Sequence, residues 1–156
     1  MQEILAYAVP IWIFNMSYSF VPLLKRKFPA LSRFDKSFSE RLIGVQGTLT
    51  FPIVLLSPLI LLPFFAQSYV ILLLKSASVA TGDMLGSFIK RRLGFPKGKY
   101  LPGVDHGDYM ILCGIVFVSF GLVSFSIAFQ ALIITYMVHP IVCYIGWRLG
   151  IKREPL

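Results

Sequence analysis

Five long apolar stretches limit what this chain can fold into. A helix needs about 20 apolar residues to cross a hydrocarbon core roughly 30 Å thick, and stretches of about this length lie at 4–24, 45–65, 69–89, 109–128 and 132–149. Charged residues make up only 14% of the chain, against about a quarter in a soluble domain. We therefore predict an all-α integral membrane protein with five transmembrane helices, forming a single domain over residues 1–156.

Lysine and arginine are distributed unevenly between the segments that join these stretches. They occur between the first and second stretches, between the third and fourth, and after the fifth, whereas the other two turns, after residue 65 and near residue 129, contain none. Cytoplasmic loops of membrane proteins carry such an excess of positive charge. We predict a multi-pass protein of the cell membrane with its N-terminus outside and its C-terminus in the cytoplasm. The opening "MQE" lacks the basic residues of a cleavable signal peptide, so we expect none.

Four less common residues lie within the apolar stretches. We predict that Cys113 and Cys143 are buried and unpaired, as small apolar side chains. Lys75 either extends its amine to the membrane surface or faces a polar cavity, and we favour the first interpretation. We interpret His139 as a packing residue.

Residues 82 to 109, "GDMLGSFIKRRLGFPKGKYLPGVDHGDY", hold three of the seven acidic residues of the chain. If the third helix continues through this segment, one stripe at i, i+4, i+7 and i+8 contains Asp83, Ser87, Lys90 and Arg91. A carboxylate near the bilayer boundary is costly, so we expect Asp83 to face a cavity, an ion or a partner. The cations also have a simpler explanation, because Lys-Arg-Arg at a helix end anchors topology.

The loop after this helix supplies further charged groups. Its glycines and prolines allow the backbone, Lys97 and Lys99 to approach a phosphate closely. Asp105 and Asp108 follow at i, i+3, either as helix caps or, with Asp83, as oxygen ligands for Mg²⁺. Because the cations flank membrane stretches, we expect anionic headgroups or a phosphorylated substrate as partners and no nucleic acid.

These residues resemble the signature of the CDP-archaeol synthases, relatives of the phosphatidate cytidylyltransferases. The family pattern is Gly-Asp, Ser-Phe-Ile-Lys-Arg-Arg-Leu-Gly, a basic loop with glycine, and Pro-x-x-Asp-Gln-x-Asp-Phe; here His106 replaces the glutamine and Tyr109 the phenylalanine. The tail "GIKREPL" resembles the family's Gly-Leu-Lys-x-x-Pro-Trp, and Pro10 and Asn15 match an early Pro-x-x-x-x-Asn. One departure is "VQGT", where the family reads Asp-Gly-Lys-Thr and this chain has Gly47 in place of the lysine.

The resemblance implies a CTP-dependent enzyme with its active site on the cytoplasmic side of the membrane. It would transfer CMP from CTP to an isoprenoid diether lipid, 2,3-bis-O-geranylgeranyl-sn-glycerol 1-phosphate, and release pyrophosphate. The predicted catalytic residues are Asp83, Lys90, Asp105 and Asp108, and the three aspartates would hold Mg²⁺. The residues predicted to contact the nucleotide or its phosphates are Ser87, Lys90, Arg91, Lys97, Lys99, Arg41 and Thr48.

Two other functions are alternatives to this one. A CDP-alcohol phosphotransferase also handles CDP-lipids, but it requires the run Asp-x-x-Asp-Gly-x-x-Ala-Arg, which this chain lacks. A small transporter or channel subunit would use Lys75 and Asp83 as an intramembrane pair. Eight residues of helix separate the two by about 12 Å, which is too far for direct pairing.

Overall fold

Helices account for most of the chain. A computed structural model describes residues 1–33, 37–39, 44–96, 101 and 103–148. Five α-helices lie in this part, as predicted, together with two short 3-10 helices and one small hairpin. The α-helices are α1 (Gln2–Lys27), α2 (Thr50–Leu61), α3 (Tyr69–Arg92), α4 (Asp108–Ser119) and α5 (Phe125–Arg148), the 3-10 helices are Pro29–Arg33 and Leu62–Phe64, and the strands are β1 (Ser37–Ser39) and β2 (Gly44–Gly47).

The helices have the apolar character that a membrane protein needs. Of the described helices, α3 and α5 are long and apolar enough to cross a membrane, while α2 with its 3-10 extension and α4 are shorter apolar helices. Large apolar side chains are exposed along the outer faces, among them Ile60, Ile115 and Ile141. This exposure fits a lipid environment, and the number of spans and their orientation stay predictions.

The second helix begins later than we predicted. We placed its start at residue 45, but residues 44–47 form β2, which pairs antiparallel with β1 so that Ser37 lies opposite Gly47 and Ser39 opposite Gly44. A turn follows, and α2 begins only at Thr50. Hydropathy alone extended the apolar stretch back into β2, because the residues of this strand are uncharged.

The boundary between the fourth and fifth helices is also different. We predicted a helix to residue 128 and a turn near 129, whereas α4 ends at Ser119 and α5 begins at Phe125. Gly121 has a φ of 66°, and the N–H groups of Gly121 and Leu122 donate to carbonyls in the last turn of α4. This ending requires a left-handed residue, which glycine adopts without strain. Because the surrounding residues are apolar, hydropathy did not reveal the turn.

Lys75 on α3 binds a carbonyl that a proline leaves free in α1. Pro10 has no N–H, so the carbonyl of Ala6, four residues earlier, loses its helical donor. Lys75 Nζ donates to Ala6 O at 3.1 Å and to Tyr7 O at 3.1 Å. The Lys75 side chain is only 2% exposed, so the prediction that it extends to the membrane surface is wrong.

Ser76, the next residue of α3, likewise binds a carbonyl that a proline leaves free in α2. Pro58 deprives the carbonyl of Val54 of its helical donor, and Ser76 Oγ donates to that carbonyl at 3.0 Å. The backbone carbonyl of Ser76 in turn accepts a hydrogen bond from Tyr18 Oη on α1 at 2.7 Å. These contacts place α3 between α1 and α2, and α4 packs along another side of α3.

The two cysteines lie where we predicted. Cys113 and Cys143 are both buried and do not form a disulfide. Cys113 lies on α4, and its thiol contacts the backbone carbonyl of Lys75 at 3.8 Å.

Candidate active site

The end of α3 presents the predicted stripe of polar side chains. Because α3 remains helical through Arg92, Asp83, Ser87, Lys90 and Arg91 lie along one side of it, as predicted. The helix then ends at a left-handed glycine, Gly94, with a φ of 78°. The N–H groups of residues 94 and 95 donate to the carbonyls of residues 91 and 90, so the chain turns sharply just after the stripe.

An ion pair joins this stripe to the loop before α4. Lys90 Nζ pairs with Asp105 Oδ1, and each side chain is about one-fifth exposed, at 20%. The other carboxylate oxygen, Oδ2, accepts a hydrogen bond from the backbone N–H of Leu101 at 2.7 Å. Both oxygens of Asp105 are therefore engaged, and the pair fixes the lysine against the loop.

Asp108 occupies a space on α3 that only a glycine leaves open. A Cβ atom on Gly86 would lie 1.9 Å from Asp108 Oδ2. The other oxygen, Oδ1, accepts a hydrogen bond from the backbone N–H of Tyr109 at 2.8 Å. Asp83 is close enough for the two carboxylates to repel each other, and Lys90 attracts Asp83. Asp83, Lys90 and Asp108, three of the predicted site residues, are therefore brought together at one end of α3.

Neither Asp105 nor Asp108 occupies the N-cap position of α4, although Asp108 binds one N–H of its first turn. The N-cap residue is Gly107, with no side-chain hydrogen bond. Within the described residues, no group of three or more His, Cys, Asp or Glu side chains is assembled to hold a metal, and Asp105 is turned towards Lys90. Asp83 and Asp108 are partly buried and form no ion pair with a described residue. Two such carboxylates fit the oxygen donors that Mg²⁺ prefers.

The predicted phosphate-binding residues fall into two groups. The first is described: Arg91 Nε is buried and has no hydrogen-bond partner in the described part of the chain, and Thr48 lies in the turn between β2 and α2. Strand β2, which precedes this turn, contacts α3. The second group, Arg41, Lys97 and Lys99, lies outside the described residues.

Two polar contacts beside the site were missed by the sequence analysis. His106 Nδ1 and His139 Nδ1 are 2.6 Å apart, so His139 does more than fill space. The phenolic group of Tyr109 also interacts with Asn15 of α1. The sequence signals were the replacement of the family's glutamine by His106 and the early motif that contains Asn15. Three of these side chains, Asn15, Tyr109 and His139, line a cavity of about 170 Å³, whose other lining residues are Trp12, Met16, Thr135, Val138, Val142 and Cys143.

A larger cavity, of about 600 Å³, lies at the opposite end of the bundle. Its lining includes Glu3, Gln67 and Lys75, and none of the predicted site residues borders it. The charged groups at the end of α3, and not cavity size, therefore define the candidate site.

The sequence is similar to known proteins along almost its whole length. The profile of the CarS-like CDP-archaeol synthase family matches residues 41–156. The chain belongs to the CDP-archaeol synthase family. The CDP-archaeol synthase of Pyrobaculum calidifontis is 29% identical over 166 residues, covering 99% of each chain. That of Saccharolobus islandicus is 32% identical over 146 residues, covering 86% of this chain and 85% of the relative.

A third CDP-archaeol synthase matches over a shorter segment. The protein from Methanococcus aeolicus is 39% identical over 80 residues, which is 51% of this chain and 45% of the relative. No solved structure gives a significant match. The resemblance seen in the sequence is thus confirmed, and the residues at the end of α3 and the start of α4 lie within the part that matches the CDP-archaeol synthase profile.

Alanine substitutions at the two glycines of α3 that face α4 should have different effects on stability. A Cβ atom on Gly82 would lie 2.4 Å from Tyr109 Cα, so Gly82→Ala must displace the backbone of α4. Overpacking of this kind costs about 1–3 kcal/mol, and we expect a clearly lower melting temperature in detergent micelles. Gly86→Ala meets only the Asp108 side chain, which can rotate away, and should melt closer to wild type.

A third glycine of the bundle serves as the control. A Cβ atom on Gly114 would lie 3.6 Å from Ala128 Cβ, an ordinary contact, so Gly114→Ala should leave the melting temperature unchanged. If Gly82→Ala melts at the wild-type temperature, the close approach of α3 and α4 is incorrect.

Proposed function

We propose that this chain transfers CMP from CTP to 2,3-bis-O-geranylgeranyl-sn-glycerol 1-phosphate, producing a CDP-activated diether lipid and pyrophosphate. Membership of the CDP-archaeol synthase family over residues 41–156 carries this proposal. The juxtaposition of carboxylates and cations at one end of α3 supports it independently, because both substrates are phosphates.

The reaction requires positioning and charge screening more than a general base. The lipid phosphate is already anionic, so one of its oxygens can attack the α-phosphorus of CTP directly. A new P–O bond forms in line as the bond to pyrophosphate breaks. Lys90 and Arg91 would bind phosphate oxygens, since charge-assisted hydrogen bonds to phosphate are strong and directional. The buried and unpartnered Nε of Arg91 is consistent with a ligand that supplies an acceptor.

The carboxylates would serve the same reaction. Asp83 and Asp108 would hold Mg²⁺, and Asp105 stays a predicted third ligand. Bound there, Mg²⁺ would neutralise the substrate phosphates and the charge of the departing pyrophosphate. Asp105 has a second role in this account, because its ion pair with Lys90 keeps that ammonium beside the carboxylates.

The isoprenoid chains of the lipid need an apolar surface next to the site. A groove of about 330 Å³ runs between α4 and α5, and its lining includes Met110, Gly114, Val118, Ala128 and Leu132. It begins two residues after Asp108, so a lipid phosphate bound at the carboxylates would have its chains beside this groove. We propose that the groove receives one of them.

We also propose that all five helices span the membrane, with the N-terminus outside and the reaction on the cytoplasmic side. The distribution of Lys and Arg supports this orientation. To test it, single cysteines are introduced at Ala66 and Leu93, both exposed, in a background in which the buried Cys113 and Cys143 are replaced by alanine. A membrane-impermeant thiol reagent applied to intact cells should label the cysteine at 66 and not the one at 93, and the reverse pattern would contradict the topology.

Removing the negative charge of each aspartate tests the metal site. Asparagine keeps the shape of aspartate but loses the charge that Mg²⁺ requires. We expect Asp83→Asn and Asp105→Asn to reduce Mg²⁺-dependent transfer of CMP about a hundredfold or more, and Asp108→Asn to be severely impaired. Thermal stability should change little. Product is detected by thin-layer chromatography with labelled CTP.

Glu3→Gln is the matched control for the aspartate series, because Glu3 lies at the opposite end of the bundle and should retain wild-type turnover. Near wild-type turnover of both Asp83→Asn and Asp108→Asn, with fold intact, would show that the carboxylates are structural.

The cations at the end of α3 allow a similar comparison. Arg91→Ala and Lys90→Gln should each lower turnover about tenfold or more, because a phosphate loses a charge-assisted hydrogen bond. Arg92→Ala is the control: Arg92 is the next residue, is exposed and stacks on Phe88. If all three variants have wild-type kinetics and only expression or orientation suffers, the cations are topology anchors.

A further inference from the structure

Lys75 is a buried cation far from the reacting groups. Eight residues of helix separate it from Asp83, about 12 Å along α3. No described carboxylate forms an ion pair with it, and its three protons go to neutral acceptors: Ala6 O, Tyr7 O and Gln67 Oε1, the last at 3.0 Å. Burying an ammonium in this way is costly, so the contacts it makes need an explanation.

The hydrogen-bond acceptors of Lys75 indicate its structural role. Pro10 leaves the Ala6 carbonyl without its helical donor, and two side chains replace it: Lys75 Nζ, and Gln67 Nε2 at 2.8 Å. The ammonium also lies over the Tyr7 ring, 5.3 Å from its centroid. Lys75 therefore holds α1 against α3 at the point where proline has weakened the helix.

The part of α1 that follows Pro10 reaches the candidate site. Trp12 Nε1 donates to Thr135 Oγ1 on α5 at 2.9 Å. Asn15, one turn further, lines the same small cavity as Tyr109 and interacts with its phenolic group. Tyr109 is the residue that follows Asp108. The position of α1 is thus connected to the carboxylate site through Asn15.

We propose that Lys75 is a positioning residue for the reaction: by binding the carbonyl that Pro10 leaves free, it fixes α1 so that Asn15 holds Tyr109 beside Asp108. This inference rests on the proposed function for its kinetic consequence. It also gives a physical reason for the early Pro-x-x-x-x-Asn motif. The proline creates the acceptor for Lys75, and the asparagine, five residues or about 7.5 Å further along the helix, makes the contact at the site.

The kinetic test is a pair of double-mutant cycles. Lys75→Met keeps the length of the side chain but removes its charge and donors, and should lower turnover about tenfold. In a Pro10→Ala background the N–H of residue 10 donates to the Ala6 carbonyl, as in a regular helix. Lys75→Met should then lower turnover by less than about threefold. In an Asn15→Ala background, Lys75→Met should lower turnover by less than about twofold, because Lys75 affects turnover by way of Asn15.

A core variant separates positioning from a general loss of stability. Leu72 is fully buried on the same helix, at 0% exposure, and Leu72→Ala should have the same effect on turnover in the wild-type and Asn15→Ala backgrounds. Equal losses from Lys75→Met in both backgrounds, or no loss in either, would overturn the proposal. Should Lys75→Met not fold, Gln67→Ala removes the second donor to Ala6 and is expected to show the same non-additivity with Asn15→Ala, at a smaller magnitude.

A spectroscopic readout makes the test independent of activity. The chain has two tryptophans, so in a Trp147→Phe background the emission reports on Trp12 alone. Lys75→Met should shift the Trp12 emission, and Pro10→Ala should restore it. If the wild-type protein transfers no CMP, the proposed function fails while this shift still decides the role of Lys75. An unshifted emission in Lys75→Met would overturn the inference even if the enzyme is active.

Discussion

Two carbonyl groups that prolines leave without helical donors determine how the helices are arranged around α3. Lys75 and Ser76 bind the carbonyls freed by Pro10 in α1 and Pro58 in α2. Adjacent residues point about 100° apart around a helix, so one binds α1 and the other binds α2. A buried polar group without a partner costs about 1–3 kcal/mol, and sliding either helix along α3 would take one such carbonyl away from its donor on α3. The register of three helices is therefore fixed at one level.

The same helix carries the candidate site at its other end. Gly82 and Gly86 remove the side chains that would keep α4 away, so Asp108 approaches Asp83 on α3. The two carboxylates are close enough to repel each other. Placing both of them there is favourable only with positive charge nearby. Lys90 supplies part of that charge. A divalent cation would supply more of it and would hold the substrate phosphates in the geometry that the proposed reaction needs. The structural and chemical roles of α3 thus occupy different levels of one helix.

Local patterns in the sequence predicted the features that depend on local physics. Hydropathy indicated five helices, and helical spacing placed Asp83 and Lys90 on one side of α3. The turn at Gly121 was missed because its neighbours are as apolar as the helices it joins. Tertiary contacts were also beyond reach, since no sequence pattern shows that a freed carbonyl in α1 will accept Lys75 or that Asp105 will turn towards Lys90. Family resemblance supplied the function, because side chains of this kind also occur in other phosphate-handling membrane proteins.

The site at the end of α3 is proposed to transfer CMP to a lipid phosphate. The most direct measurement incubates the purified protein with CTP labelled at its α-phosphate, Mg²⁺ and 2,3-bis-O-geranylgeranyl-sn-glycerol 1-phosphate, and follows both products. We expect a labelled lipid and an equal amount of pyrophosphate, with neither formed when the lipid phosphate or Mg²⁺ is omitted. Folded protein that yields no labelled lipid, or pyrophosphate release without lipid labelling, would contradict this proposal.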